Sequence, residues 1–240
     1  MKDNDFWNSA WTSDKGTKNT EMIGLLIPRS ALEFSYEVLG DIEGKKLLEI
    51  GCGSGFQTIE LCKKGAYVTA VDISEESIKA VKRLSKKYDV KNLEIKKMSA
   101  ESLEFPDNYF DYAYINCTLM HTDKEKVLKE CLRVIKPNGL LVFKETLKHW
   151  LFAFPYRLLS PYRKTKPNYI TLNDVRKLKA RHKEFYLFST FFLFLFYVFK
   201  NKKVPYKIFN ILSKIDDYLL KALPLLRNIS WVTVAYIRKE

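Results

Sequence analysis

Glycines at 51, 53 and 55 and carboxylates at Glu49 and Asp72 crowd one short stretch of the chain, LLEIGCGSGF at Leu47 to Phe56 followed by AYVTAVDIS. Each residue type has a chemical use at that spacing. Glycine lets backbone amides turn tightly and approach a ligand, and a helix opening behind the glycines presents further unpaired N–H groups. An acid at a strand tip accepts hydrogen bonds from ribose hydroxyls. The set describes a site for a small-molecule cofactor.

The elements that must position these groups are legible around them. Leu47, Leu48 and Ile50 form an apolar run of strand length that the glycines break into a turn. Ile59, Leu61 and Cys62 then resume spaced apolar positions, as a helix requires, and Ala66 to Val71 makes a second strand delivering Asp72 at its end. This is a β-α-β unit.

Nicotinamide enzymes use G-x-G-x-x-G, whereas the spacing here is G-x-G-x-G, with Phe56 after the last glycine. The string E-x-G-x-G-x-G, with an acid 17 positions past the last glycine, resembles the S-adenosylmethionine site of class I methyltransferases, in their small-molecule, type 11-like branch. Two further segments resemble the same family in the same order. SAESLEFPDNYFDYAYINC (Ser99 to Cys117) is similar to the loop touching the adenine and the fourth strand, and CLRVIKPNGLLVFKE (Cys131 to Glu145) to the following helix, turn and fifth strand. Pro137-Asn138-Gly139 is a turn signal in its own right. The resemblance covers roughly residues 40 to 146, and WVTVAYIR at Trp231 to Arg238 has the β-branched and aromatic content of a closing strand.

The resemblance implies an α/β, Rossmann-like, doubly wound seven-stranded sheet with S-adenosyl-L-methionine as cofactor. By similarity Glu49, Gly51, Cys52, Gly53 and Gly55 hold the methionine end, Asp72 the ribose, and Ile73, Ala100 and Glu101 the adenine, while Asn116 sits where the site opens toward the acceptor. The expected chemistry is methyl transfer by direct displacement, in which the protein chiefly aligns the acceptor and excludes water. A hydroxyl acceptor also needs a base, for which His121, Glu145 and His149 are the candidates. Two positions depart from the family pattern. Ser99 stands where an aspartate often contacts the adenine, and Asn138 replaces a glycine whose backbone region asparagine tolerates.

At 240 residues the chain suits one α/β domain with an elaboration. Its expected division is an N-terminal cap over 1–39, a methyltransferase core over 40–190, a basic and aromatic insertion over 191–230, and a final core strand over 231–240. Phe6, Trp7 and Trp11 in the cap either close over the cofactor or simply pack. The N-terminus has no apolar signal-like region, and cysteines at 52, 62, 117 and 131 show no C-x-x-C spacing. A disulfide framework and a metal site are therefore not expected, and the expected compartment is a reducing cytoplasm.

The net charge of +13 is unevenly placed: residues 1–143 carry 21 Lys and Arg against 22 Asp and Glu, and residues 144–240 carry 20 against 6. Fifteen of the 34 aromatic residues fall between Trp150 and Phe199. The apolar run Leu187 to Phe199 is too short to span a bilayer, which takes about 20 residues, and its first part is expected to be the sixth strand after a helix beginning near Thr171. Beyond it Ile208, Ile211, Leu212, Ile215, Leu219 and Ala222 repeat at helical spacing, with Lys207, Lys214 and Lys221 on another side. This part of the chain is either a lid packed on the sheet or a face for an anionic membrane presenting a lipid-linked acceptor, with peripheral placement on the inner membrane face. RNA is the weaker partner class. Asn116-Cys117-Thr118-Leu119 lacks the N-P-P-Y pocket of base methyltransferases. A non-catalytic protein using the same fold to bind the cofactor or dock on a membrane is the alternative from another class.

Overall fold

The computed structural model describes Asn8, residues 29–148, 167–181, 185–190 and 232–240, and single positions between 211 and 226. In chain order the elements are helix α1 (Arg29–Leu39), strand β1 (Lys46–Ile50), helix α2 (Phe56–Lys63), β2 (Tyr67–Asp72), α3 (Glu75–Lys87), β3 (Leu93–Lys97), β4 (Phe110–Asn116), a 3₁₀ turn (Leu119–His121), α4 (Lys124–Val134), β5 (Ile135–Thr146), α5 (Leu172–Arg181), β6 (Phe185–Thr190) and β7 (Val232–Arg238). The strands form one seven-stranded sheet in the order β3-β2-β1-β4-β5-β7-β6. All pairs from β3 to β5 are parallel, and β7 runs antiparallel between β5 and β6.

Continuous apolar strands explain why both faces are covered, since a parallel sheet must bury each side. On one face Leu47, Val68, Ala70, Tyr114, Val142 and Val234 pack with Ala31 and Leu39 of α1, Leu61 of α2, and Ile78 and Val81 of α3. On the other, Leu48, Ile50, Ala113, Ile115, Leu141 and Phe143 pack with Val127 and Cys131 of α4 and Leu178 of α5. The helix starts follow from their capping residues. Ser74 accepts the Ser77 N–H at α3, Asp123 that of Lys126 at α4, and Thr171 and Asp174 exchange hydrogen bonds at α5.

The sequence places a turn at Pro137-Asn138-Gly139, and the structure makes it an excursion inside β5. The β4–β5 register slips between Phe110↔Ile135 and Tyr112↔Leu140, Asn138 takes φ 63°, and its N–H donates to Lys239 O just past β7. The pairing with β7 beyond the slip carries the strand through. The sixth strand begins at Phe185, two residues before the expected run, and the chain returns as β7 at Val232, so the expected insertion lies between two adjacent strands.

Candidate functional site

β1 enters the carboxyl edge of the sheet and turns sharply at Gly51, whose φ is 73°. Its N–H and that of Cys52 both donate to Val71 O (2.8 and 3.2 Å), which ties the loop to β2. A Cβ at Gly51 would lie 2.1 Å from Thr118 Oγ1, so the loop and the segment after β4 close on each other here. Gly55, at φ 84°, occupies the N-cap of α2 with no side chain capping the helix, and a Cβ there would lie 3.1 Å from Val81 Cα. The first amides of α2 therefore remain available to a ligand.

Two carboxylates flank that loop. Asp72, at the tip of β2, accepts the Gly53 N–H through Oδ2 (3.0 Å) and the Ser74 N–H through Oδ1 (2.9 Å). Burial raises its pKa, and these amides pull it back. A carboxylate oxygen accepts more than one hydrogen bond, so both retain capacity for hydroxyl donors. Glu49, on β1, is buried, and its Oε2 has no hydrogen-bond partner. Burial pushes its carboxyl up to about 8, the neighbouring Thr58 hydroxyl offsets part of the effect, and the Asp72 charge adds to it. A buried acid with an open acceptor beside a glycine loop is suited to a ligand cation.

Asn116 ends β4, and its amide nitrogen donates to Gln57 Oε1 on the first turn of α2, leaving Oδ1 without a partner. The backbone then passes through Cys117 at φ 53° into the 3₁₀ turn that carries His121, half-buried, at its end. Glu145 lies on the α4 side of β5 with no exposed surface, and its Oε1 accepts the Thr118 and Leu119 N–H groups, both at 2.8 Å. Burial raises it to about 7 against those amides. Its placement supports a positioning role for the Thr118–His121 segment in preference to the base role open to it in the sequence. His149 lies outside the described residues, as do Phe6, Trp7 and Trp11. Asn8, from the same N-terminal stretch, accepts the Ser74 hydroxyl at 2.9 Å, beside Asp72.

The loop after β3 brings Ala100 and Glu101 to the same edge. Met98 N–H donates to Asp72 O, the exposed Ser99 caps the Glu101 N–H, and Ala100 is buried. Glu101 Oε1 accepts the Asp123 N–H (2.8 Å) and so links this loop to α4. The edge thus collects Glu49, the glycine loop, Asp72, Ile73, Ala100, Glu101, Asn116, His121 and Glu145 from five strands. Sequence reasoning missed Gln57, Thr58 and Thr118, whose types are unremarkable until the fold sets them against Asn116, Glu49 and Gly51. It also missed Lys144, buried mid-sheet. Among the described residues no cluster of three or more His, Cys, Asp or Glu could hold a metal, and the four cysteines are free.

Residues 48–143 match the family model described as a methyltransferase domain. The chain is 37% identical over 116 residues to a demethylmenaquinone methyltransferase of Geobacillus stearothermophilus and 34% identical over 119 residues to a ubiquinone biosynthesis O-methyltransferase of Pseudomonas fluorescens. Each match covers 47% of this chain and 50% of the relative, so the chain spans about half the length of the curated relatives it matches. Its fold is shared with a phosphoethanolamine N-methyltransferase of Haemonchus contortus solved with S-adenosyl-L-methionine, at TM-score 0.69 and 15% identity over 98% of this chain and 59% of that one. A SAM-dependent methyltransferase of Aquifex aeolicus shares it too, at TM-score 0.56 and 20% identity over 92% and 98%. The E-x-G-x-G-x-G loop and the strand-tip Asp72 thus lie within the stretch, residues 48–143, that matches a methyltransferase domain.

Proposed function

We propose that this protein transfers a methyl group from S-adenosylmethionine to a small-molecule or lipid-linked acceptor. The observation that carries the reading is the unpartnered, buried Oε2 of Glu49 beside the glycine loop, with Asp72 offering acceptor capacity one strand away. Glu49 and the Gly51–Gly55 loop would hold the amino-acid end, Asp72 the ribose hydroxyls, and Ile73, Ala100 and Glu101 the adenine side. The cofactor supplies an electrophilic methyl on a sulfonium. The chain's own residues would orient the acceptor past Asn116 and keep water from the reacting atoms, and His121 would take a proton from a hydroxyl acceptor.

An amphiphilic acceptor fits the basic C-terminal part of the chain. Ile211, Ile215 and Tyr218 are 57, 40 and 72% exposed and stand at helical spacing, with Leu223 and Leu225 also exposed. Lys200, Lys202, Lys203, Lys207, Lys214 and Lys221 lie in the same stretch of sequence. This combination suits an anionic membrane surface. Among the described residues no helix is long and apolar enough to cross a membrane. Calorimetric titration with S-adenosylmethionine and S-adenosylhomocysteine tests the central reading. One site for each is expected, weakened at least tenfold by Asp72→Ala, since each hydrogen bond to a charged acceptor contributes about 1.5–3 kcal/mol. Wild-type protein that binds neither refutes it.

A further inference from the structure

Lys144 is fully buried in β5, and its Nζ has no hydrogen-bond partner. Strand alternation defines its surroundings. Val142, two residues earlier, and Val234, its register partner on β7, both belong to the core beneath α1, so Lys144 points to that face while Glu145 points to the other. Its register partner on the opposite side is Asn116, the residue that closes β4 and keeps an unpartnered Oδ1. On β1, Glu49 pairs in register with Tyr114 and shares that face, so it lies two residues deeper in the sheet than the Asn116–Lys144 pair, and the three polar side chains on this face each keep an open hydrogen-bonding atom.

The charges around Lys144 leave it unpaired. Cys117, Glu145 and Glu60 are the groups whose fields reach it. The Cys117 thiol is pushed up to about 12 by burial and is neutral, and Glu145 is engaged by Thr118 and Leu119 on the opposite face. Glu60, on α2, accepts the Tyr36 hydroxyl of α1. Burial consequently lowers the affinity of Lys144 for its proton. An ammonium buried without a partner is among the costliest arrangements a core can hold, and an apolar side chain would avoid that cost. An incoming anion would remove it.

We infer that Lys144 seats an acidic oxygen group of the acceptor, so that the substrate of this site is an anion when it binds. The inference rests on the methyl-transfer reading for the word acceptor, and on the Lys144–Asn116 pair alone for the charge. Oxygen acids carried as carboxylate, phosphate or phenolate share the required chemistry. Neutral amines and alcohols do not, because they leave Lys144 unpaired.

The test is carried out on the full chain loaded with S-adenosylhomocysteine. Binding of benzoate, phenyl phosphate and 4-nitrophenolate is compared with that of benzamide and benzyl alcohol by calorimetry. At least one anion is expected to bind at least tenfold more tightly than its neutral counterparts, and the anion that does so identifies the acid class. Lys144→Met should abolish that preference, Lys144→Arg should retain it, and without anion Lys144→Met should melt no lower than wild type. No anion preference in wild type, an undiminished preference in Lys144→Met, or a marked loss of stability in Lys144→Met that reveals a hidden partner would each overturn the inference. Failure to bind S-adenosylhomocysteine counts against the methyl-transfer reading instead, and the anion comparison is then read on the unloaded chain.

Discussion

Replacing Glu49 by glutamine should make the protein more stable at alkaline pH while weakening its site. Burial moves this carboxyl from an ordinary 4.5 to about 8, so the native state keeps its proton where the unfolded chain has already lost it. Stability then falls as pH rises from the unfolded value through the native one, because over that interval the native state binds more protons. At about 1.4 kcal/mol per pH unit, the full interval amounts to about 5 kcal/mol between pH 4.5 and pH 9. Glutamine has nearly the same shape and does not titrate, so the difference between the two proteins isolates Glu49 from every other group. Urea denaturation at pH 5 and pH 9 measures it. The variants should be close at pH 5, and glutamine should lead by several kcal/mol at pH 9. Bound ligand ammonium would hold Glu49 ionised, so at pH 7 cofactor binding by the wild type should release close to one proton, seen as a dependence of the calorimetric heat on the buffer, and the glutamine variant should release none. Parallel stability profiles for the two proteins would refute the assignment of Glu49 as a strained, waiting acceptor.

Gly51→Ala combines a left-handed backbone costing about 1–2 kcal/mol with a Cβ 2.1 Å from Thr118 Oγ1, and should lower the melting temperature and displace the loop. Adding Thr118→Ala should recover the part due to the contact and not the part due to φ; full recovery would show that the backbone is unstrained. Ile211→Glu with Ile215→Glu should abolish flotation with anionic vesicles at low salt and leave cofactor binding intact, and retention on the vesicles would remove those side chains from the membrane face.

The glycine loop and strand-tip acid of the candidate site were legible because their requirements are local. Tight turns need glycine at fixed spacing, and a strand-tip acid follows its own strand, so Gly51 to Gly55 and Asp72 announce themselves in one dimension. The same holds for the closing strand at Val232–Arg238, whose residue types fit a pleated surface wherever it pairs. Tertiary structure decided what depends on register and burial. Pro137-Asn138-Gly139 reads as a turn in isolation and becomes a bulge because β7 pairs on beyond it. Glu145 reads as a candidate base at the ligand edge, and the sheet buries it against the Thr118 and Leu119 amides. Lys144 reads as one lysine among many. Only the pairing of β5 between β4 and β7 places its ammonium beneath α1, opposite Asn116 and away from water, because the energy of a charge is set by neighbours that lie far from it in sequence.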